Sequence, residues 1–392
     1  MFQQLLEKIS KVSIALNGRL EERDGMIINT IIFGSDFSWD VMEYKKKYFK
    51  KLRLKEISLL KIQQEIYRED LSEKELKILL QEIENRLLKL EFLRYIYNTE
   101  AQKIDPNIQV HYPYSIEIYN KAFYGVTKKD IGDNIQPHAC NIYEKTYKKS
   151  ELLILIDKAK SICPEIEFKF WKFPNFAHSR WVIKIPNQKY YNLQSLITLF
   201  FHETTHFFRT FNWTRNLGFP FQFAWYSTLE EWMAIYNEYT YGNKICNYGE
   251  FIPYYNLCIK VLCTDISESE KKDKIYEILS CKWFNRERSD QYYNRFYKYC
   301  QIWWNHLFLK DLIYYNWYKN VRRLIRKDSE NYQKIMAGDI WIQELAQWLV
   351  EPENNYNSKK FFQYMVKEIR KIAVLHEDES FLKRTNNVKE NK

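Results

Sequence analysis

The residues with the most chemical content lie together in His202-Glu203-Thr204-Thr205-His206. On a helix, positions i and i+4 share a face, so both imidazoles can reach one ion. Glu203 stands one step round from His202, where it can face a metal-bound water rather than the metal. Zinc lowers the pKa of such a water, and a carboxylate beside it can take the proton as the water attacks a polarised carbonyl. The chain has only seven histidines, and at that content chance places this pattern in roughly one such chain in a hundred. The plainer alternative is two histidines packed inside a helix. A site of this kind needs a third protein ligand and an open position. Glu230 and Glu231 both lie on the next expected helix. Glu231 is preferred, because Ala234 three residues on makes a Glu-x-x-Ala pattern with a small residue on the metal-facing side. Glu230 is the alternative ligand. Either glutamate can also be read as part of an acidic first turn that complements the helix dipole. The expected cofactor is one zinc ion per chain.

The elements that must position these groups are legible from periodicity. The chain reads as helical over about 44–98, where Leu76, Leu79, Leu80, Ile83, Leu87 and Leu90 recur at three- and four-residue spacing. Ser72 with Glu75 three residues on forms a capping-box pattern. The stretch 103–137 is broken by Pro106, Pro113 and Gly125. A helix is expected over 151–161. The period then changes: Ile166, Phe168 and Phe170 alternate with charged residues, and 181–185 forms a second strand stopped by Pro186 and Asn187. That strand is expected at a sheet edge beside the motif, where backbone pairing would hold an extended peptide. Asn192 is placed to cap the apolar run 193–208 that carries the motif. Ser227 or Thr228 is expected to cap the following helix, which runs to about Tyr241. Further helices are expected over 283–325, 341–350 and 361–374.

Composition bounds the class. The chain has 392 residues, 46% hydrophobic and 28% charged, with only nine glycines and nine prolines. That balance suits a helix-rich globular protein and argues against both disorder and a Gly-lined nucleotide site. The net charge is +10. Basic runs at Lys45–Lys47 and Lys50-Lys51 would suit an acidic partner, although a solvated helix face is the plainer reading. No run carries the aromatic interleaving of a nucleic-acid reader, so no nucleic-acid partner is expected. The seven cysteines are scattered and make no CxxC pair, which suits a reduced compartment. The first twenty residues lack a signal-peptide core, and no stretch is apolar for 18 residues. A cytoplasmic protein without a membrane span is therefore expected.

Taken in order, several segments resemble the QEGLA-motif, tyrosine carboxypeptidase-like zinc metallopeptidases. They are "LLKLEFLRYIYN" (87–98), "SIEIYNKAFYG" (115–125), "SLITLFFHETTHFFRTFN" (195–212, including Arg209), "TLEEWMAIYNEY" (228–239), "FLKDLIYY" (308–315) and "IMAGDIWIQELAQWLVEP" (335–352). The resemblance puts Glu231 in the ligand place. The chain departs from the family pattern in its shorter spacing between Glu203 and the second histidine, and in Trp232-Met233 where the family has Gly-Leu. It also lacks the family's Gly-rich turn between Arg295 and Lys310.

The resemblance implies a carboxypeptidase acting on C-terminal residues, tyrosine among them, which must neutralise a substrate's terminal carboxylate. Arg295 and Lys310 are the cations proposed for that role. Tyr236 and Tyr239 on the ligand helix are candidate oxyanion donors, with core packing as their other reading. Glu238, two turns past Glu231, is a candidate to orient a ligand histidine. The remaining histidines, His111, His138, His178, His306 and His376, have no metal-ligand spacing and read as structural or exposed.

The expected architecture is α+β and mostly helical: a zincin-like catalytic core with a small sheet beside the motif helix. Its parts are an N-terminal helical region (1–100), a catalytic domain (101–355) packed with it as one unit, and a C-terminal helix with a disordered tail (356–392). The expected activity is a zinc carboxypeptidase acting on a peptide or protein C-terminus. The alternatives are a zinc endopeptidase or aminopeptidase of gluzincin type, and a non-catalytic helical module that keeps the metal site. Intact Glu203 argues against the last, since an inactive descendant has no chemical need for it.

Overall fold

The computed structural model of the chain describes residues 1–12, 40–104, 146–173, 176–179, 181–218, 226–246, 321–338 and 357–373, and with gaps 257–294. Helices take up most of these residues, and the strands form two small sheets. Among the described residues, the first three helices are α1 (Phe2–Lys11), α2 (Asp40–Ile66) and α3 (Glu73–Ile104). The run expected over 44–98 is thus two helices with a break near residue 70. The Ser72–Glu75 box starts α3 as expected: Glu75 N donates to Ser72 Oγ at 3.3 Å, and Ser72 N donates to Glu75 Oε2 at 2.9 Å. Leu5, Leu6 and Ile9 of α1 are buried, as are Leu52, Leu59 and Ile66 of α2 and Leu79, Ile83 and Leu90 of α3. Arg86 on α3 is buried and paired with Glu82. It donates to the carbonyl of Val12 at 3.0 Å, which satisfies the end of α1 where intrahelical partners run out.

Strand β1 (Thr146–Lys148) leads into α4 (Lys149–Ile162) and pairs antiparallel with β5 (Tyr190–Asn192). The second sheet has the order β2-β4-β3, with β2 (Glu167–Trp171) parallel and β3 (Ala177–Ser179) antiparallel to β4 (Val182–Pro186). The strand expected at the edge is therefore the middle one. β4 has a neighbour on each side, and among the described residues β2 and the short hairpin partner β3 are the two edges.

Phe168 and Ile183 share a register position on the inner face of this sheet. Phe168 meets the ring of Phe200 at 6.1 Å, and Trp181 meets Phe207 and Phe211 edge-on. The adjacent positions of the same helical stretch, Phe201 and Phe208, meet Phe361 and Phe362 of a helix over 358–373. Apolar residues thus surround the motif helix on more than one side, as expected of a helix in the middle of a core rather than at its surface. Buried residues from α1 through the helix over 358–373 form one continuous cluster. A small separate cluster joins Cys258, Leu262, Tyr293 and the buried face of α8 (Glu268–Ser280), Ile275 and Leu279. Among the described residues, no helix is long and apolar enough to cross a membrane. The segments 103–137, 283–325 and 341–350 lie wholly or largely outside the described residues, as does the tail from His376.

Candidate metal centre

The motif is delivered by β5. Asn192 ends that strand and caps α5 (Leu193–Ile197), its Oδ1 accepting from Ser195 N at 2.8 Å. The helix does not stay α. It widens into a π segment over Thr198–Glu203 and returns to α in α6 (Thr204–Leu217). His202 and Glu203 therefore close a π turn, and the uniform α-helix expected around the motif is corrected on this point. Such turns occur often at functional sites, because one extra residue per turn re-aims the side chains that follow. The two threonines inside the motif complete the transition. Thr204 Oγ1 donates to the Phe200 carbonyl at 2.6 Å and Thr205 Oγ1 to the Phe201 carbonyl at 2.5 Å. These hydroxyls serve carbonyls at the place where the backbone ladder changes pitch. Gly218 ends α6 in the left-handed conformation, φ +78°, with its N–H on the Thr214 carbonyl at 2.8 Å.

The second helix, α7, spans Tyr226–Gly242. Ser227 and Thr228 fall inside it and are not its cap. Glu230 and Glu231 stand in its second turn, so neither is the solvated first-turn acid of the plainer reading. Glu230 is buried and Glu231 is partly exposed.

Their roles separate cleanly by geometry. His202, His206 and Glu231 each offer one ligand atom, and the three atoms lie within 4.8 Å of one another. His202 Nε2 stands 3.4 Å from Glu231 Oε2. Two ligand atoms about 2.0–2.1 Å from a tetrahedral ion stand roughly 3.3 Å apart, so this pair has the separation an ion would require. The far side of each imidazole is held by another carboxylate. His202 Nδ1 meets Glu238 Oε2 at 2.9 Å, and Glu238 Oε1 accepts from Thr198 Oγ1 at 3.2 Å. His206 Nδ1 lies 3.1 Å from Glu230 Oε1, close enough for an ion pair but off the line of a hydrogen bond. Both rings are thus turned so that Nε2 is the nitrogen left for an ion. A carboxylate on the second nitrogen fixes the tautomer and makes the ligand more basic.

Four carboxylates gathered round two imidazoles perturb one another. Burial disfavours charge on His202, but the hydrogen bonds and charges of Glu231 and Glu238 outweigh it and hold this imidazole well above its usual range. Burial likewise opposes charge on His206, and the facing Glu230 overcomes it and raises that pKa as well. Glu230 itself is held low: burial pushes its carboxyl up, while His206, Arg209 and His178 pull it further down. Burial raises the Glu203 carboxyl, opposed by the two histidines. A buried group with more carboxylates than fixed cations is balanced by protons on the imidazoles or by a bound cation.

Glu238, the candidate to orient a histidine, stands against His202 Nδ1. Sequence reasoning missed the same role for Glu230, the supporting hydroxyl of Thr198, and the position of His178. His178 read as unrelated to the metal group. On β3 its ring instead stacks on His206, centroids 5.9 Å apart. No strand was expected at 177–179, so its place opposite Ile183 had no signal in the sequence. Of the proposed oxyanion donors, Tyr239 is buried in the core and Tyr236 is half-buried, with its ring near Tyr332. Arg295 and Lys310 lie outside the described residues.

The motif helix also grips what lies behind it. Arg209 is fully buried and donates through Nε to the Ile335 carbonyl at 3.0 Å and through Nη2 to the Gly338 carbonyl at 2.6 Å. Asn212 and Asn216 reach the Met336 and Ala337 carbonyls at 2.7 and 3.2 Å. Three side chains of α6 thereby satisfy the end of α9 (Glu330–Met336). Gly338 is required by close approach: a Cβ there would stand 2.3 Å from Trp213 Cε3.

Comparison with known protein families, with curated proteins and with solved structures finds no match for this chain.

Proposed function

We propose that the chain is a zinc-dependent metallopeptidase, and that it releases residues at or near the C-terminus of a peptide or protein. The observation that carries this reading is the convergence of His202, His206 and Glu231, with buried Glu203 between the two histidines in sequence and coupled to both by charge. Two imidazoles and a carboxylate suit zinc, and three protein ligands leave a position for water and substrate. Zinc bound there would polarise the scissile carbonyl and make water a nucleophile at neutral pH. Glu203 would take the proton of the attacking water and pass it to the leaving amine. A carboxyl whose pKa is lifted by burial is matched to both steps. Glu230 and Glu238 would keep the imidazoles oriented. The edge strand β3, which carries His178 beside His206, takes the part first given to 181–185 and would pair with an extended substrate. The arrangement of motif helix, small sheet and edge strand supports a zincin-like reading of the core. Cleavage at a C-terminus rests on the family resemblance, with Arg295 and Lys310 as the proposed carboxylate partners.

The test uses matched peptide libraries with free and amidated C-termini, read by mass spectrometry. Release of single C-terminal residues from free acids alone is the expected result. Internal cleavage of both forms would point to an endopeptidase, and stepwise loss from the other end to an aminopeptidase. Glu203→Gln should keep zinc while turnover falls by about 10²- to 10⁴-fold. A Glu203→Gln variant with wild-type turnover would refute the mechanism for any substrate.

A further inference from the structure

One buried carboxamide joins the helices that carry the two halves of the metal group. Asn237 lies on α7 beside Glu238 and is fully buried. Its Nδ2 donates to Thr205 Oγ1 at 2.9 Å, and its Oδ1 accepts from Tyr332 OH at 3.1 Å. The same Nδ2 reaches Met336 Sδ at 3.8 Å. Thr205 is the motif residue between Thr204 and His206, and its hydroxyl passes on to the Phe201 carbonyl in the π segment. A single side chain therefore ties α6, α7 and α9 together within one residue of His206 and of Glu238.

We propose that Asn237 is a positioning residue for the metal centre: by hydrogen-bonding Thr205 and Tyr332 at once, it sets the axial register of α7 against the motif helix and so the distance from Glu231 to His202 and His206. This rests on the reading of those three residues as metal ligands. Apolar packing between helices resists separation but resists sliding weakly, whereas a hydrogen bond is directional and fixes register. The required precision is high. Ligand distances are tolerated to only about 0.2 Å, so a slide of α7 by a fraction of a turn would remove Glu231 from reach. A carboxamide also fits here where near neighbours do not. It must donate to Thr205, whose own proton is committed to the Phe201 carbonyl, and accept from Tyr332. Asp keeps the shape and loses the donor; Leu keeps the approximate volume and loses both functions.

The experiment compares wild type with Asn237→Asp, Asn237→Leu and Tyr332→Phe. The control is Tyr191→Phe, which deletes another buried tyrosine hydroxyl bond, to the Pro186 carbonyl at 2.6 Å on the strand side of the fold. Zinc affinity is read by chelator competition, the ligand field by the visible spectrum of the cobalt-substituted protein, and stability by melting of the metal-free protein. Both Asn237 variants should bind zinc at least about 10-fold more weakly and show an altered cobalt spectrum. Tyr332→Phe should move both readouts in the same direction by less. Tyr191→Phe should lower the melting temperature yet leave affinity and spectrum as in wild type. Where the Asn237 variants fail to fold, the contrast of Tyr332→Phe with Tyr191→Phe decides alone. Unchanged affinity and spectrum in Asn237→Asp or Tyr332→Phe would overturn the positioning role while leaving the metal centre standing. An equal loss in Tyr191→Phe would also overturn it, by showing that metal affinity merely follows stability. A wild type that binds no zinc would overturn the metal centre and the positioning role together.

Discussion

Replacing Glu230 by Gln separates orientation of a ligand from ligation itself. The carboxylate stands 3.1 Å from His206 Nδ1, is buried, and is held ionised by His206, Arg209 and His178. Gln keeps the shape and removes the charge. His206 then loses the facing charge that raises its basicity. Loss of such an outer partner costs about 10- to 100-fold in metal affinity, or about 1.4–2.8 kcal/mol. Glu238→Gln should fall in the same range, because Glu238 holds His202 Nδ1 at 2.9 Å and is itself held by Thr198. Glu231→Gln should cost more than either, since it exchanges a carboxylate ligand for a neutral amide. The assay is zinc competition against a chromophoric chelator for the three variants and wild type under one buffer. The order Glu231 well above Glu230 and Glu238 is the expected outcome. A larger loss for Glu230→Gln than for Glu231→Gln would transfer the ligand role to Glu230. Wild-type affinity in Glu230→Gln would show that the buried pair does not orient His206.

Three further outcomes follow from other parts of the structure. Gly338→Ala drives a methyl into Trp213, which is buried and cannot retreat, and it displaces the carbonyl that Arg209 holds at 2.6 Å. Overpacking costs about 1–3 kcal/mol and the charged hydrogen bond adds about 1.5–3 kcal/mol, so a clear drop in melting temperature is expected; an unchanged melting curve would contradict the packing. The raised pKa values of His202 and His206 give opposite pH trends to the two forms of the protein. Their ion pairs stabilise the metal-free fold fully below about pH 6.5, and that stability is lost as pH rises through the raised values. Zinc needs neutral imidazoles, so its affinity and the melting shift it produces should grow with pH; a shift that shrinks between about pH 6 and about pH 8 would refute the pairing. His206→Ala should abolish stoichiometric zinc, measured by metal analysis after dialysis, because it removes one of three ligands.

What the sequence determined by itself was local. The pairing of His202 with His206, the Ser72–Glu75 box, the Asn192 cap and the alternation at Phe168 and Phe170 are all settled within one or two turns of chain. Their physics depends on helical and strand periods that the sequence displays directly. The choice of Glu231 over Glu230 was also made from a short pattern, and it agrees with the grouping in the structure. The tertiary structure decided everything that depends on contact between distant segments. It made Glu230 the partner of His206 rather than a surface acid. It put β3 rather than β4 at the sheet edge, and with it brought His178 onto His206. It joined Thr198 to Glu238, Asn237 to Thr205 and Tyr332, and Arg209 to the end of α9. None of these pairs has a sequence spacing that a helix or strand period would reveal. The π turn belongs to the same class, because a wider turn has no compositional signature. It persists where the surrounding packing and the hydroxyls of Thr204 and Thr205 satisfy the backbone it disturbs, and that balance exists only once the helices and the sheet have closed around the motif.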